Sequence, residues 1–189
     1  LPARLTRWKG QTVFLDAIAR LKRNDIRAVL VGDAQGREGY RAELEAQIER
    51  LGLSSVARIV GHCNDMAAAY MLADVVVSAS TDPEAFGRVI VEAQAMGRPV
   101  IATDHGGAKE SIIDGRTGWL VPPGDAAALG EAIGRALALT EGERRDLAAL
   151  TTDNIVRNFS KQVMCDKTLE VYREVLALPA AGVGGADAT

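Results

Sequence analysis

A chain of 189 residues with 48% hydrophobic content is long enough to bury the core of one domain of ordinary size. Its 22 basic and 25 acidic side chains leave a formal charge of -3, which excludes a broad positive field for nucleic acid or an anionic membrane; any bound anion must be held by a local site. Cys63 and Cys165 stand far apart without the Cys/His spacing of a metal site, which argues against a disulfide framework or a zinc site and suits a reducing compartment.

The opening "LPARLTRWKG" lacks a charged segment followed by an apolar one, so it does not read as a secretory signal. It has no initiator Met and reads as the end of a strand, so a piece of a longer chain is expected. After the Lys9-Gly10 turn, "QTVFLDAIARLK" puts Val13, Phe14, Ala17 and Leu21 on one helical face. "IRAVLVG" reads as a buried strand, and a charged helix over 40–51 should stop at Gly52, a residue suited to a left-handed cap. "VARIVG" is the next strand.

Asp65 can cap a short helix, "MAAAYML", before "ADVVVSAS" supplies an expected central strand. From Val89, apolar residues fall at 89, 90, 93 and 96, one stripe of a helix packed on a sheet. "PVIATD" is a strand, "AKESII" a short helix and "GWLVPP" a short edge strand ended by prolines. Asp125 should cap a helix to about Leu139, with two more helices over 141–157 and 160–177. The last residues, "AAGVGGADAT", carry no periodicity. These readings predict a doubly wound α/β fold over 1–178, a Rossmann-like parallel sheet with helices on both faces, and a flexible tail over 179–189. Ligands of such folds bind at the carboxyl ends of the strands. No run of about 18 or more uncharged apolar residues occurs, so no membrane span is expected.

The stretch "EAFGRVIVEAQAMGRPVIATDHGG" carries the chemistry. Glu84 lies in the strand-to-helix loop "TDPEAFG", and Glu92 sits at the border of the apolar stripe. Eight residues at helical rise span about 12 Å. That separation is too long for the paired carboxyl groups of glycoside hydrolysis but comparable with the reach of a nucleotide sugar from ribose to sugar hydroxyls. Between the two lie the free backbone N–H groups of a helix start, which with the helix dipole favour a phosphate, and Gly87 lets an anion approach closely. Spacing alone also allows both glutamates to be ordinary surface charges.

Glu84, "AFG", Glu92-Ala93 and "GRPVIATDHGGAKESIIDGRTGWLVPPGD", in this order, resemble the donor-binding half of retaining glycosyltransferases with the GT-B fold, over residues 4–176. The resemblance implies a nucleoside diphosphate sugar as donor substrate, transfer with retention at the anomeric carbon, and attack on the donor's front face. It also implies that the departing phosphate takes the acceptor's proton. "ARLTRWKG" is similar to the family's Gly-Arg-Leu segment ending in Lys-Gly, with Ala3 where Gly is usual, so Arg4 and Lys9 would grip the diphosphate and stabilise the leaving group.

By the same resemblance Glu84 would meet hydroxyls of the donor sugar and Glu92 those of the ribose. Backbone amides of Phe86, Gly87, Arg88 and Val89 would hold sugar and phosphate, with Arg88 where an apolar residue is frequent. Gly61 and Cys63, in the loop "GHCND", would lie against the base, and Asp65 reads equally as a plain cap. His62 and His105 are loop histidines for which no catalytic role is expected.

No Asp-x-Asp motif occurs, so the expectation is a metal-independent enzyme without a cofactor. Its partners would be the donor, an acceptor the sequence does not name, and an N-terminal acceptor domain absent from this chain. A cytoplasmic site follows, with peripheral contact to the inner face of a membrane left open. Two other readings stand beside this one: an epimerase or phosphorylase of the same architecture, and a non-catalytic nucleotide-binding module.

Overall fold

The computed structural model describes residues 1–177, so the tail expected over 179–189 lies outside the described residues. A 3₁₀ turn, Arg7–Lys9, leads into α1 (Gln11–Leu21), β1 (Ala28–Val31), α2 (Glu38–Arg50) and β2 (Ala57–Val60). Next come α3 (Met66–Leu72), β3 (Val76–Ser78), α4 (Arg88–Ala95), β4 (Val100–Thr103), α5 (Ala108–Ser111) and β5 (Trp119–Val121). Three helices follow, α6 (Ala126–Leu137), α7 (Glu141–Phe159) and α8 (Lys161–Ala177).

All strand pairing is parallel, as strand–helix alternation demands, but the ladder is broken into two sheets. In the first, β1 pairs with β2, and the N-terminal residues flank the other edge of β1, where the Ala3 N–H donates to the Val31 carbonyl at 2.9 Å. In the second, the order is β3-β4-β5. The expected central strand, β3, therefore lies at an edge of its sheet, and β4 takes the centre with all four residues buried. β3 is short because its hydrogen-bonded register with β4 ends at Ser78, where the chain leaves for the loop carrying Glu84. One core spans both sheets through Leu30 of β1, Val77 of β3 and Ile101 of β4.

Helix boundaries follow local chemistry. Gly52, at φ 70°, takes the left-handed position after α2, and the Leu53 N–H returns to the Ile48 carbonyl at 2.9 Å. Asp125 accepts from the Ala127 and Ala128 N–H groups, both at 2.9 Å, and starts α6, which packs along α1. The buried face of α1 is Gln11, Phe14, Leu15, Ala17 and Ile18; Val13 and Leu21 lie at its border rather than its centre, because α6 and the sheet cover a wider arc than one stripe.

An apolar cleft of about 630 Å³ is lined by residues of β1 and β3 together with Phe14, Ile18, Leu72 and Ile133. Its lining runs along β1 from Ala28 to Val31 and includes Val76 and Val77 of β3, but neither Lys9 nor Glu84. Among the described residues no helix is long and apolar enough to cross a membrane.

Candidate functional site

The N-terminal turn Arg7–Lys9 and the loop after β3 build the site. The Lys9 turn packs directly on the end of β3: the Thr81 N–H donates to the Trp8 carbonyl at 2.7 Å. Gly10, at φ 67°, is pressed so close that a Cβ there would stand 1.8 Å from the Ala79 carbonyl oxygen. That contact carries Lys9 to the loop after β3, where its Nζ lies 2.7 Å from Oε1 of Glu84. Both side chains are mostly covered, 14% and 22% exposed, so the pair is weakly screened by solvent. Lys9 also rests on the Trp8 ring, 4.2 Å from its centroid, an additional hold on the ammonium.

Glu84 is fixed from below as well. The Ser80 hydroxyl donates to Oε1 of Glu84 at 2.5 Å, while the Ser80 carbonyl accepts from the Thr103 hydroxyl at 2.7 Å and from Nε2 of His105 at 2.9 Å. His105 is thus a strut beneath the Glu84 loop. Gly106 and Gly107 hold the loop from the β4 side: the Gly107 N–H donates to the Glu84 carbonyl at 2.8 Å. A Cβ on Gly106 would stand 2.3 Å from the Glu84 carbonyl oxygen, and one on Gly107 2.5 Å from that of Phe86. The Gly-Gly pair lets two backbones touch, a role that no motif spacing reveals.

The loop then enters α4 through Gly87, which adopts φ 78° as the N-cap residue. Arg88 and Val89 follow as the first helical residues, whose N–H groups have no intrahelical acceptor. Phe86, just before them, is 44% exposed and has its ring 6.1 Å from that of Phe159. Of the eight-residue interval between the glutamates only Arg88–Glu92 is helical, so helical rise accounts for about 6 Å rather than 12. Glu92 sits on the first turns of α4. Its Oε2 accepts from the Tyr70 hydroxyl at 2.9 Å, and its Oε1 accepts from Nη2 and Nε of Arg88 at 2.8 and 3.1 Å. The Arg88 side chain points outward, 83% exposed.

The remaining expected residues are less engaged. Arg4 is exposed, and its carbonyl accepts from the buried Gln11 amide at 2.8 Å, which anchors its backbone and leaves the guanidinium at the surface. Gly61 is exposed and Cys63 half-buried, with the Cys63 thiol 3.3 Å from the Asp65 carbonyl. The Asp65 carboxylate accepts from the Ala68 N–H at 2.9 Å, so it is a helix cap. Among the described residues no group of three or more His, Cys, Asp or Glu side chains gathers.

Lys9 and Glu84 thus meet just before the start of α4, whose first turns carry the second carboxylate, Glu92. Residues 2–138 match the family described as Glycosyl transferases group 1. The chain belongs to that family. A curated group 1 relative, the D-inositol 3-phosphate glycosyltransferase of Corynebacterium urealyticum, is 33% identical over 95% of this chain and 43% of its own length. Anabaena Alr3699/HepE, solved in complex with UDP and glucose, superposes with a TM-score of 0.84 at 34% identity, covering 91% of this chain and 47% of that one. The C-terminal domain of a group 1 protein, LpcC of Francisella tularensis, superposes with a TM-score of 0.76 at 28% identity, covering 85% and 84%. The group 1 chain described here therefore spans less than half the length of the curated relative, and its architecture is that of a GT-B C-terminal half.

Proposed function

We propose that this chain is the donor-binding half of a retaining glycosyltransferase that moves a sugar from a nucleoside diphosphate to an acceptor. The observation that carries the reading is the covered Lys9–Glu84 pair, held at 2.7 Å beside the N-terminus of α4. A cation and a helix start suit a diphosphate, and a carboxylate beside them suits sugar hydroxyls. The UDP complex of the Anabaena protein supports a nucleotide at this fold's crevice.

Lys9, with Arg4 brought in from the surface, neutralises the diphosphate as it departs. Glu84, held by Ser80, accepts from hydroxyls of the donor sugar, and Glu92 from those of the ribose. Amides of residues 86–89 hold sugar and phosphate, and the loop with Gly61 and Cys63 lies against the base. With the leaving group neutralised by side chains, the reaction uses no metal and no cofactor. The leaving phosphate takes the acceptor's proton on the face from which it departs. The acceptor binds an upstream domain of the full-length protein, so this chain alone binds nucleotide without turnover, on the cytoplasmic side.

The test is proton NMR of the product made by the full-length protein from a donor of known anomeric configuration. The same configuration in the product agrees with the reading. An inverted product, or nucleotide binding without any transfer, overturns it, the second in favour of a binding module.

A further inference from the structure

Glu92 is a flexible side chain held by two unlike partners, and the difference between them is informative. On the outer side stands Arg88, an i,i+4 neighbour whose side chain is 83% exposed and whose two N–H groups both reach Oε1. Such an exposed pair contributes little and is readily exchanged. On the inner side stands the Tyr70 hydroxyl, 2.9 Å from Oε2, on a residue that is only 3% exposed. The Tyr70 ring is locked among Val76, Ile90, Ala93 and Val100, so its hydroxyl has a fixed position. Burial, and then the hydrogen bond to Glu92, push the Tyr70 phenol well above its ordinary value of 10.0, so it is a permanent donor.

We propose that Tyr70 is a positioning residue that fixes the Glu92 carboxylate for the ribose hydroxyls of the donor nucleotide, and that these hydroxyls displace Arg88 rather than Tyr70. The inference rests on the reading of Glu92 as the ribose carboxylate. Two accepted bonds fill Oε1, whereas Oε2 keeps one free lone pair beside the Tyr70 bond. A pair of vicinal hydroxyls therefore needs Oε1 to be vacated, and the solvated Arg88 leaves at far less cost than the packed phenol. Tyr70 also belongs to α3, the helix that Asp65 caps directly after the base loop 61–65. One buried hydroxyl thus ties the loop assigned to the base to the carboxylate assigned to the ribose.

The experiment measures calorimetric Kd values of the full-length protein for whichever of UDP, GDP and ADP binds best, and for its 2′,3′-dideoxy counterpart. Tyr70→Phe keeps the ring and removes the donor; Glu92→Ala removes the acceptor. The proposal expects Tyr70→Phe to weaken ribonucleotide binding about tenfold, the worth of a bond to a charged group, with the dideoxynucleotide Kd unchanged. An unchanged ribonucleotide Kd in Tyr70→Phe, with Glu92→Ala still losing ribose discrimination, overturns the proposal and spares the reading of Glu92. Equal weakening of both nucleotides assigns Tyr70 to structure alone and also overturns it. If Glu92→Ala leaves the ratio of the two Kd values at the wild-type figure, the ribose reading itself fails, and the proposal with it.

Discussion

At the scale of single residues, Glu84 and Glu92 were legible from their spacing around a helix start, and Lys9 only from the resemblance of "ARLTRWKG" to a family segment; the structure brings Lys9 and Glu84 into direct contact. Their supports were not legible. Ser80 reads as the end of a strand, His105 as a loop histidine and Tyr70 as core, since a tyrosine in "MAAAYML" is placed by its apolar ring and its hydroxyl finds Glu92 only after the fold has formed. Gly106 and Gly107 read from the sequence as the next loop and helix start with a supporting role, but the means of that support, the approach of another backbone, was not legible. Replacing Gly107 by Ala should force the Phe86 backbone away and cost about 1–3 kcal/mol, the range for inserting an atom into a packed contact. Thermal unfolding checks the loss of stability, and nucleotide titration should show a further loss of affinity, because the displaced loop is the one that presents Glu84 and the amides of α4.

At the scale of elements, capping and periodicity located the helices to within two residues, since each signal is local. The expected 141–157 and 160–177 became Glu141–Phe159 and Lys161–Ala177, and the expected stop at Gly52 held. What failed was strand order: nothing in "ADVVVSAS" says which neighbours it will have, and β3 proved to be an edge. The start of α7 offers a pH test. Thr140 and Glu143 form a capping box, the Glu143 carboxylate accepting from the Thr140 hydroxyl at 2.7 Å and from its N–H at 2.8 Å. These bonds, the hydroxyl's first, hold the Glu143 carboxyl below its ordinary 4.5. A carboxyl depressed in the folded state stabilises above the unfolded value and loses that contribution as pH falls through the folded one. The difference in thermal midpoint between wild type and Glu143→Gln should therefore be present from about pH 7 to pH 5 and shrink toward pH 3. A difference that does not change over this range would show that the box does not act through the charge.

At the scale of the whole molecule, strand–helix alternation predicted the parallel α/β architecture, and membership of the group 1 family places it among glycosyltransferases. The break of the ladder into two sheets was not legible, because it depends on which strand edges meet after folding. Both sheets nevertheless share one core, and the Arg7–Lys9 turn packs against the loop after β3. The proposed function requires the Lys9–Glu84 pair to hold the donor sugar and its diphosphate. Glu84→Gln in the full-length protein tests it most directly, because the amide keeps the size of the side chain and can still accept from Ser80 while losing the charge that faces Lys9. The rate of sugar transfer should fall about 100-fold or more, the scale of losing one transition-state contact, with the thermal midpoint near that of wild type. Transfer at the wild-type rate by a folded Glu84→Gln protein would contradict it.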